Sequence, residues 1–150
     1  MKLKRRPPKV YLAGPITSSG NLTENVREGI RFGNCLLGDG FIPFVPHLSE
    51  LWNYVSLVPY ETWLMYDKNW ILACDALFRL PGRSRGATRE VRYSNKMGIP
   101  VFTSYRKLTK WRDRFITGPR SIIKKATRSS RSKASGRGRS SRGNGTRKIK

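Results

Sequence analysis

Two carboxylates could do chemistry in this chain, because each is set into an otherwise apolar helical segment. Asp67 lies in YETWLMYDKNWILACDALF, and Glu90 lies in SRGATREVRYSNKMGIPVF. At helical spacing, Asp67 shares a stripe that is predicted to face the core. The other members of that stripe are Trp63, Leu64, Trp70, Ile71 and Cys74. An ionised group is costly in such surroundings, so both acids are candidates for a functional role.

Glu90 is the candidate nucleophile. It is predicted to lie early in a helix that follows a strand, and the positive end of a helix favours an ionised carboxylate. A carboxylate held there could attack a sugar carbon and form a glycosyl-enzyme intermediate, as retaining glycosidases do. An ordinary helix glutamate paired with Arg85 or Arg89 is the alternative interpretation, and the spacing does not choose between them.

Asp67 is the candidate proton donor. A carboxyl group between Trp63 and Trp70 should resist ionisation, which suits a group that protonates a leaving base. The alternative is a buried acid that is satisfied by Tyr11 or by a backbone amide. Both interpretations stay open at this point.

Three further segments offer groups that could hold a substrate. Ser84 and Gly86, between two arginines, form a hydroxyl-and-amide corner where a phosphate could bind, and Ser84 could also be simply the N-cap of the helix. The loop GPITSSGN, from Gly14 to Asn21, adds three hydroxyl groups and an amide side chain. His47 is the single histidine, and without a partner in sequence it is more often a structural loop residue than a catalyst.

Apolar runs and turn residues predict the elements that position these groups. Strands are predicted at 9–14, 41–46, 76–80 and 100–104. Helices are predicted from a capping box at Asn21 and Glu24 to Gly38, from about residue 60, around Glu90 up to residue 98, and after residue 104. The segment 48–59 has no clear assignment. The inner face of the first helix is predicted to carry Val26, Ile30, Gly33 and Leu37.

Alternating strands and helices predict an α/β fold, a three-layer sandwich around a mostly parallel sheet. Ligands bind such sheets beyond the carboxyl ends of the strands. The loops 15–21, from 47 onward, and 81–86 should therefore converge on one pocket.

Charge divides the chain into three parts. Of the formal net charge of +22, residues 119–150 contribute 12 Lys and Arg with no acid, and the first nine residues contribute 5 more. We therefore predict a basic arm at 1–9, a folded domain at 10–118 and a disordered basic tail at 119–150. Such a tail could contact nucleic acid non-specifically through counterion release, or it could be only a solvated, tolerated extension.

The cysteines and the hydropathy indicate a cytoplasmic protein. Cys35 and Cys74 lack the spacing of a metal site or a disulfide framework, so they are interpreted as reduced core residues, and no metal is predicted. No apolar run reaches the length of a membrane helix, so no membrane contact is expected.

Several ordered motifs together resemble the nucleoside 2-deoxyribosyltransferase superfamily, and especially its small, often phage-borne members. The motifs are VYLAGPIT, YDKNWILACDALFRLPG, SRGATREV and MGIPVF, which span roughly Val10 to Ser104. The resemblance implies a flavodoxin-like or Rossmann-like fold. It also implies cleavage or exchange of the N-glycosidic bond of 2-deoxynucleosides or their 5′-monophosphates, without a cofactor and usually in a homo-oligomer.

The resemblance also assigns roles to residues. Glu90 matches the nucleophile, Tyr11 a tyrosine that orients it, and Asp67 the acid near the base and sugar. Ser84 matches a serine found in members that act on monophosphates, whereas Pro15, Ile16 and Thr17 replace a Ser-Ile-Arg loop of those members. Substrate contacts are expected from Gly14, Pro15, Ile16, Thr17, Asn21, His47, Ser84, Gly86 and Ala87.

Two other classes of function remain open from the sequence. The first is a nucleotide-sensing module that keeps the pocket and does little chemistry. The second is a nucleic-acid-associated protein that acts through its basic tail.

Overall fold

The structure, a computed structural model, describes residues 6–18 and 20–118. The predicted disordered tail at 119–150 lies outside the described residues. The strands are β1 (Lys9–Ala13), β2 (Ile42–Phe44), β3 (Ala76–Arg79) and β4 (Val101–Phe102). The helices are α1 (Leu22–Gly38), α2 (Ser49–Val55), α3 (Tyr60–Ala73), α4 (Arg85–Lys96) and α5 (Tyr105–Thr117), with a 3₁₀ turn at Pro46–Leu48.

The four strands form one parallel sheet in the order β2-β1-β3-β4. Alternate residues of β1 point to opposite faces of the sheet. Val10 and Leu12 pack with Leu36 of α1 and Leu108 of α5, and the other face of the sheet packs against α3 and α4. The predicted α/β three-layer sandwich is therefore confirmed.

Two helices begin at the polar residues that the sequence indicates. The Asn21 side chain accepts a hydrogen bond from the backbone N–H of Glu24 at 3.2 Å, which caps α1. Ser84 does the same for α4, where its Oγ accepts from the N–H of Ala87 at 3.1 Å. Each cap satisfies a donor that the first turn of a helix leaves without a partner.

The predicted inner face of α1 is confirmed at Gly33 and wrong at Ile30 and Leu37. The residues of α1 that are buried are Gly29, Gly33 and Leu36, whereas Ile30 is 40 % exposed and Leu37 is 59 % exposed. The reason is close approach rather than hydrophobicity. A Cβ on Gly29 would lie 2.5 Å from Cγ of His47, so the helix can pack here only because this residue has no side chain.

Gly29→Ala is expected to destabilise the protein by about 1–3 kcal/mol, because the added methyl group must displace the buried His47 ring. Gly38→Ala in the same helix is the matched control, since a Cβ at Gly38 meets no atom within 4 Å. Its stability should stay unchanged or rise by up to about 1 kcal/mol through helix propensity. Urea unfolding of both variants measures the difference, and equal midpoints would contradict the packing argument.

Two predictions about buried side chains are also wrong in part. Ile71 and Cys74 are buried as predicted, but Trp70 is 38 % exposed because it stacks on Phe44 at the edge of the sheet, with ring centroids 4.4 Å apart. Cys35 was expected in the core and is exposed on α1, because it lies off the buried face of that helix. The segment 48–59, which had no assignment, contains α2.

The described part of the N-terminal arm is attached to the domain. β1 already includes Lys9, and Pro8 is fully buried. The Arg6 guanidinium makes two hydrogen bonds to Asp75, at 2.7 and 2.9 Å, and the Lys9 backbone N–H donates to the same carboxylate at 2.8 Å. The described residues of the arm, 6–9, are therefore in contact with the domain.

Within residues 6–18 and 20–118, no helix has both the length and the hydropathy that crossing a bilayer requires.

Candidate functional site

The centre of the sheet contains the point where ligands bind in folds of this kind. β1 and β3 are neighbours, and the chain leaves β1 toward one edge of the sheet and leaves β3 toward the other. In such sheets a crevice opens at the carboxyl ends of these two strands. Tyr11 of β1 lies beside Leu77 of β3 and points to the face that α3 and α4 cover.

Tyr11 connects the central strand to the candidate nucleophile. Its hydroxyl group donates a hydrogen bond to Oε1 of Glu90 at 2.8 Å, and its side chain is fully buried. Burial raises the pKa of Glu90 to about 7, and the nearby charge of Asp67 acts in the same direction. The hydrogen bond from Tyr11 and the charge of Arg79 oppose that rise. Glu90 is thus a half-buried carboxyl group whose ionised form is disfavoured overall, with Tyr11 and Arg79 acting in its favour.

Asp67, on α3, lies near the same tyrosine. Burial raises its pKa to about 6, and the nearby Tyr11 hydroxyl offsets part of that rise. Its Oδ1 is buried and has no hydrogen-bond partner among the described residues. Glu90 and Asp67 both raise the pKa of the Tyr11 phenol further, after the effect of burial. The structure therefore brings together the three predicted catalytic residues, which come from β1, α3 and α4.

The two acids are close enough that the charge of Asp67 raises the pKa of Glu90. Like charges close together disfavour double ionisation, so the first proton leaves more readily than the second. The Tyr11 hydroxyl group donates its one hydrogen bond to Glu90, and this bond stabilises a negative charge on Glu90. Asp67 has an oxygen that lacks a partner, but its pKa of about 6 is below that of Glu90, so the pKa values alone would ionise Asp67 first. The assignment of Asp67 as proton donor therefore stays a prediction from the sequence resemblance. One carboxylate and one acid side by side is the arrangement needed for nucleophilic attack assisted by a general acid.

The Ser84 corner lies at the N-terminus of α4, one and a half turns before Glu90. Ser84 is buried, and its hydroxyl oxygen caps the helix, as one of the two interpretations predicts. Ala87 is buried and Gly86 is half-buried, so the backbone of the first turn lies close to the surface of the domain. The capping role leaves the hydroxyl proton of Ser84 available for a second partner.

The predicted loops do meet beyond the strand ends. A Cβ on Gly82 would lie 2.9 Å from the Pro15 ring, and one on Gly14 would lie 3.0 Å from Nε2 of His47. Gly82 has φ +101°, a conformation that favours glycine, which allows the 81–84 turn to pack against Pro15. The three segments that contain Gly14, His47 and Gly82 are therefore in contact, as the fold prediction requires.

The first loop, which follows β1, is anchored to α1 at one end and is exposed to solvent further along. The Asn25 side chain donates to the backbone oxygen of Ile16 at 2.6 Å, which fixes the loop on α1. Ile16 and Pro15 are half-buried, whereas Thr17 and Asn21 are exposed. Thr17 and Ser18 are thus the described residues of this loop that present hydroxyl groups to solvent.

His47 is buried rather than exposed on its loop. The ring is 1 % exposed and lies between Gly14 and Gly29. Burial lowers its pKa, an effect that the nearby Pro15 backbone offsets only in part. Neither ring nitrogen has a hydrogen-bond partner among the described residues. In this position His47 supports the Gly14 loop from beneath, while its contribution to substrate binding stays a prediction.

Arg79 is a candidate that the sequence reasoning missed. It ends β3, and its guanidinium donates to the backbone oxygens of Leu80 and Gly82, to the latter at 2.7 Å. These partners are neutral, so they do not cancel the positive charge of Arg79. That charge opposes part of the rise in the pKa of Glu90. The sequence does hold a signal for Arg79. It is the last residue of the otherwise apolar strand ALFR, at the carboxyl edge of the sheet where ligands bind.

No group of three or more His, Cys, Asp or Glu side chains within the described ranges is arranged to hold a metal ion. The described site therefore consists of acids, a phenol, a cation and backbone amides.

Comparison with known proteins identifies the family. Residues 8–103 match the family described as a domain of unknown function, DUF4406. The chain belongs to this family. The matched range begins just before β1 and ends just after β4, so it contains Tyr11, Asp67, Ser84 and Glu90. No curated protein sequence matches the chain.

Proposed function

We propose that the protein cleaves or exchanges the N-glycosidic bond of 2-deoxynucleosides or their 5′-monophosphates, through a covalent intermediate on Glu90. The observation that carries this proposal is the 2.8 Å hydrogen bond from Tyr11 to Glu90, with Asp67 acting on the same hydroxyl group. The sequence resemblance to the nucleoside 2-deoxyribosyltransferase superfamily supports the same chemistry. The position at the switch point of a parallel sheet fits a small nucleotide-like ligand.

In the first step, an oxygen of the Glu90 carboxylate attacks the anomeric carbon of the deoxyribose. The new carbon–oxygen bond forms as the carbon–nitrogen bond to the base breaks, and the electron pair of that bond goes to the base nitrogen. Asp67 supplies the proton that the departing base needs. Tyr11 holds Glu90 in place through the hydrogen bond to Oε1, so that the attacking carboxylate has a fixed position.

In the second step, a water molecule or a second base attacks the same carbon and breaks its bond to Glu90. The carboxylate of Asp67, which lost its proton in the first step, accepts a proton from the incoming nucleophile. Water gives hydrolysis and a base gives transfer. Both products follow from the same intermediate, as in retaining glycosidases.

A 5′-phosphate would find donors at the corner that begins α4. The Ser84 hydroxyl proton, the amides of the first turn and the guanidinium of Arg79 are the groups on this side of the sheet that favour an anion. α4 has no acid in its first turn that would compete with such a group. Monophosphates are therefore the preferred substrates in this proposal.

The proposal includes a homo-oligomer. Four side chains of α2 and the segment after it are largely exposed although they are apolar or aromatic: Leu51 (71 %), Tyr54 (89 %), Val55 (79 %) and Leu57 (88 %). α2 follows the carboxyl end of β2, so this surface belongs to the edge of the sheet where the candidate site lies. A second copy that covers it would remove apolar area from water.

The test is to incubate the purified full chain with deoxynucleosides and with their 5′-monophosphates. Chromatography should detect free base, with faster release from the monophosphates. Mass spectrometry of protein quenched during turnover should find one deoxyribosyl or deoxyribosyl-phosphate group attached to the peptide that contains Glu90. Absence of base release from the whole panel, with intact binding of the same compounds, would overturn the proposal in favour of a nucleotide-sensing module.

A further inference from the structure

The outer surface of α4 carries a straight row of cations. Arg85, Arg89, Arg92 and Lys96 are separated by four, three and four residues, which places them on one face of the helix. All four are exposed. With a rise of about 1.5 Å per residue, the row is roughly 16 Å long. We call these four residues the α4 basic row.

The charge of the row is not neutralised within the domain. No member forms an ion pair with any residue in the ranges 6–18 and 20–118, and the described polar contact of the row is from Arg89 to the Tyr60 hydroxyl at 3.2 Å. The single acid of α4, Glu90, points inward to Tyr11. Like charges three and four residues apart destabilise a helix, so the row lowers the stability of α4 without a compensating partner in the domain.

Helix α1 differs from α4 because its basic residues have acidic neighbours. In α1, Arg27 lies 3.9 Å from Glu24 and Arg31 lies 2.7 Å from Glu28, so each arginine has an acid one turn away. α1 is therefore an ordinary surface helix with mixed charges. α4 differs from α1 in that its exposed face carries charge of one sign along its whole length.

The neighbours of the row indicate a hydrated partner. A helix that binds a membrane surface places large apolar side chains beside its cations. None of the large apolar residues that are exposed in the described chain belongs to α4. The exposed residues next to the row are Thr88 and Asn95, which are small and polar. The exposed aromatic neighbour of the row, Tyr60, belongs to α3 and contacts Arg89 through its polar hydroxyl group. A linear array of cations with no exposed large apolar residue on its own helix suits a polyanion that stays in water.

We propose that the α4 basic row binds the phosphate backbone of a nucleic acid without reading its sequence. One strand of a duplex presents a phosphate about every 3.4 Å along the axis, so a row of this length faces several phosphates. The net charge of +22 adds long-range attraction for the same partner. The row and the candidate site are on the same helix but use opposite faces, so this proposal does not depend on the proposed catalytic function.

The test compares two double variants of the full chain that lose the same charge. Arg92→Gln with Lys96→Gln removes the half of the row that is farther from the Ser84 corner, and Arg27→Gln with Arg31→Gln is the control on α1. Fluorescence anisotropy with a labelled 20-nucleotide single strand and a 20-base-pair duplex gives the affinity between 50 and 200 mM salt. The α4 variant should lose affinity on the order of tenfold at 0.1 M salt. Its slope of log K against log salt should fall by roughly 0.7–0.9 for each contact removed.

The control should keep the slope of the unmodified chain. Equal losses in both variants would show that binding follows net charge alone and would overturn the proposal, as would an unchanged affinity of the α4 variant. Vesicles that contain anionic phospholipid form a second arm. Loss of vesicle binding with unchanged oligonucleotide binding in the α4 variant would assign the row to a membrane surface and would also overturn it. Thermal unfolding of both variants checks that the fold is retained.

Discussion

Glu90→Gln is expected to abolish the release of free base, with a loss in turnover of about 10³-fold or more. The amide cannot form the bond to the anomeric carbon, so the double displacement has no first step. The amide oxygen can still accept the hydrogen bond from Tyr11, and the side-chain volume hardly changes. Substrate binding should therefore survive. Chromatographic assay of base release, together with titration calorimetry using a deoxynucleoside monophosphate, separates the two effects.

Glu61→Gln provides the matched control for this substitution. Glu61 is an exposed glutamate at the start of α3, so the same change of atoms occurs away from Tyr11. Its turnover should remain within about twofold of the unmodified protein, as expected for a surface substitution away from the reacting groups. Undiminished turnover in Glu90→Gln would exclude the nucleophilic role, and equal losses in both variants would assign the effect to something other than the buried carboxylate.

The elements of this fold were predictable because their signals are local. The capping groups of Asn21 and Ser84, and the apolar runs of β1 and β3, each depend on a few consecutive residues. Parallel pairing then follows from the alternation of strands and helices. The Tyr11–Glu90 contact agrees with the role that the family resemblance assigns to Tyr11, and the packing of α4 on the face of the sheet that carries Tyr11 makes it possible.

The features that were missed depend on close contacts between distant segments. The buried stripe of α1 runs through Gly29, and a residue without a side chain leaves no mark on a hydrophobic pattern. His47 occupies the space that this glycine provides, so neither residue reveals the contact by itself. Arg79 was missed for a similar reason. Its partners are the backbone oxygens of Leu80 and Gly82, and every residue type has such an oxygen, so the sequence does not indicate the contact.

Burial of the two acids links the candidate chemistry to stability. Desolvation is the largest cause of the raised pKa of both Glu90 and Asp67. A raised pKa in the folded state means that the ionised form is less stable there than in the unfolded chain. The same burial that keeps a proton on these acids near neutral pH therefore destabilises the domain at higher pH, where both acids must ionise. Natural sites often accept this conflict between function and stability.

Glu90→Gln is for this reason expected to be more stable than the unmodified protein above neutral pH. The pKa of Glu90 is raised from 4.5 to about 7, and each unit corresponds to 1.36 kcal/mol, so ionisation opposes folding by about 3 kcal/mol. At pH 4.5 the group is protonated in the folded protein and half ionised in the unfolded chain, so the opposition is small, and it vanishes well below that pH. As pH rises from 4.5 through 7, the unfolded chain ionises first and stability falls. Glutamine does not titrate, so the variant lacks this loss.

Urea unfolding at pH 4.5 and at pH 8 measures the effect as a difference between the two proteins. The variant should match the unmodified protein at the lower pH and exceed it by about 3 kcal/mol at the higher pH, less any part that Asp67 takes over as the remaining acid. In Glu61→Gln the exposed side chain meets water in both states, so its difference from the unmodified protein should not change with pH. A gain in Glu90→Gln that is equal at both pH values would mean that packing, and not the buried charge, limits the stability of this site.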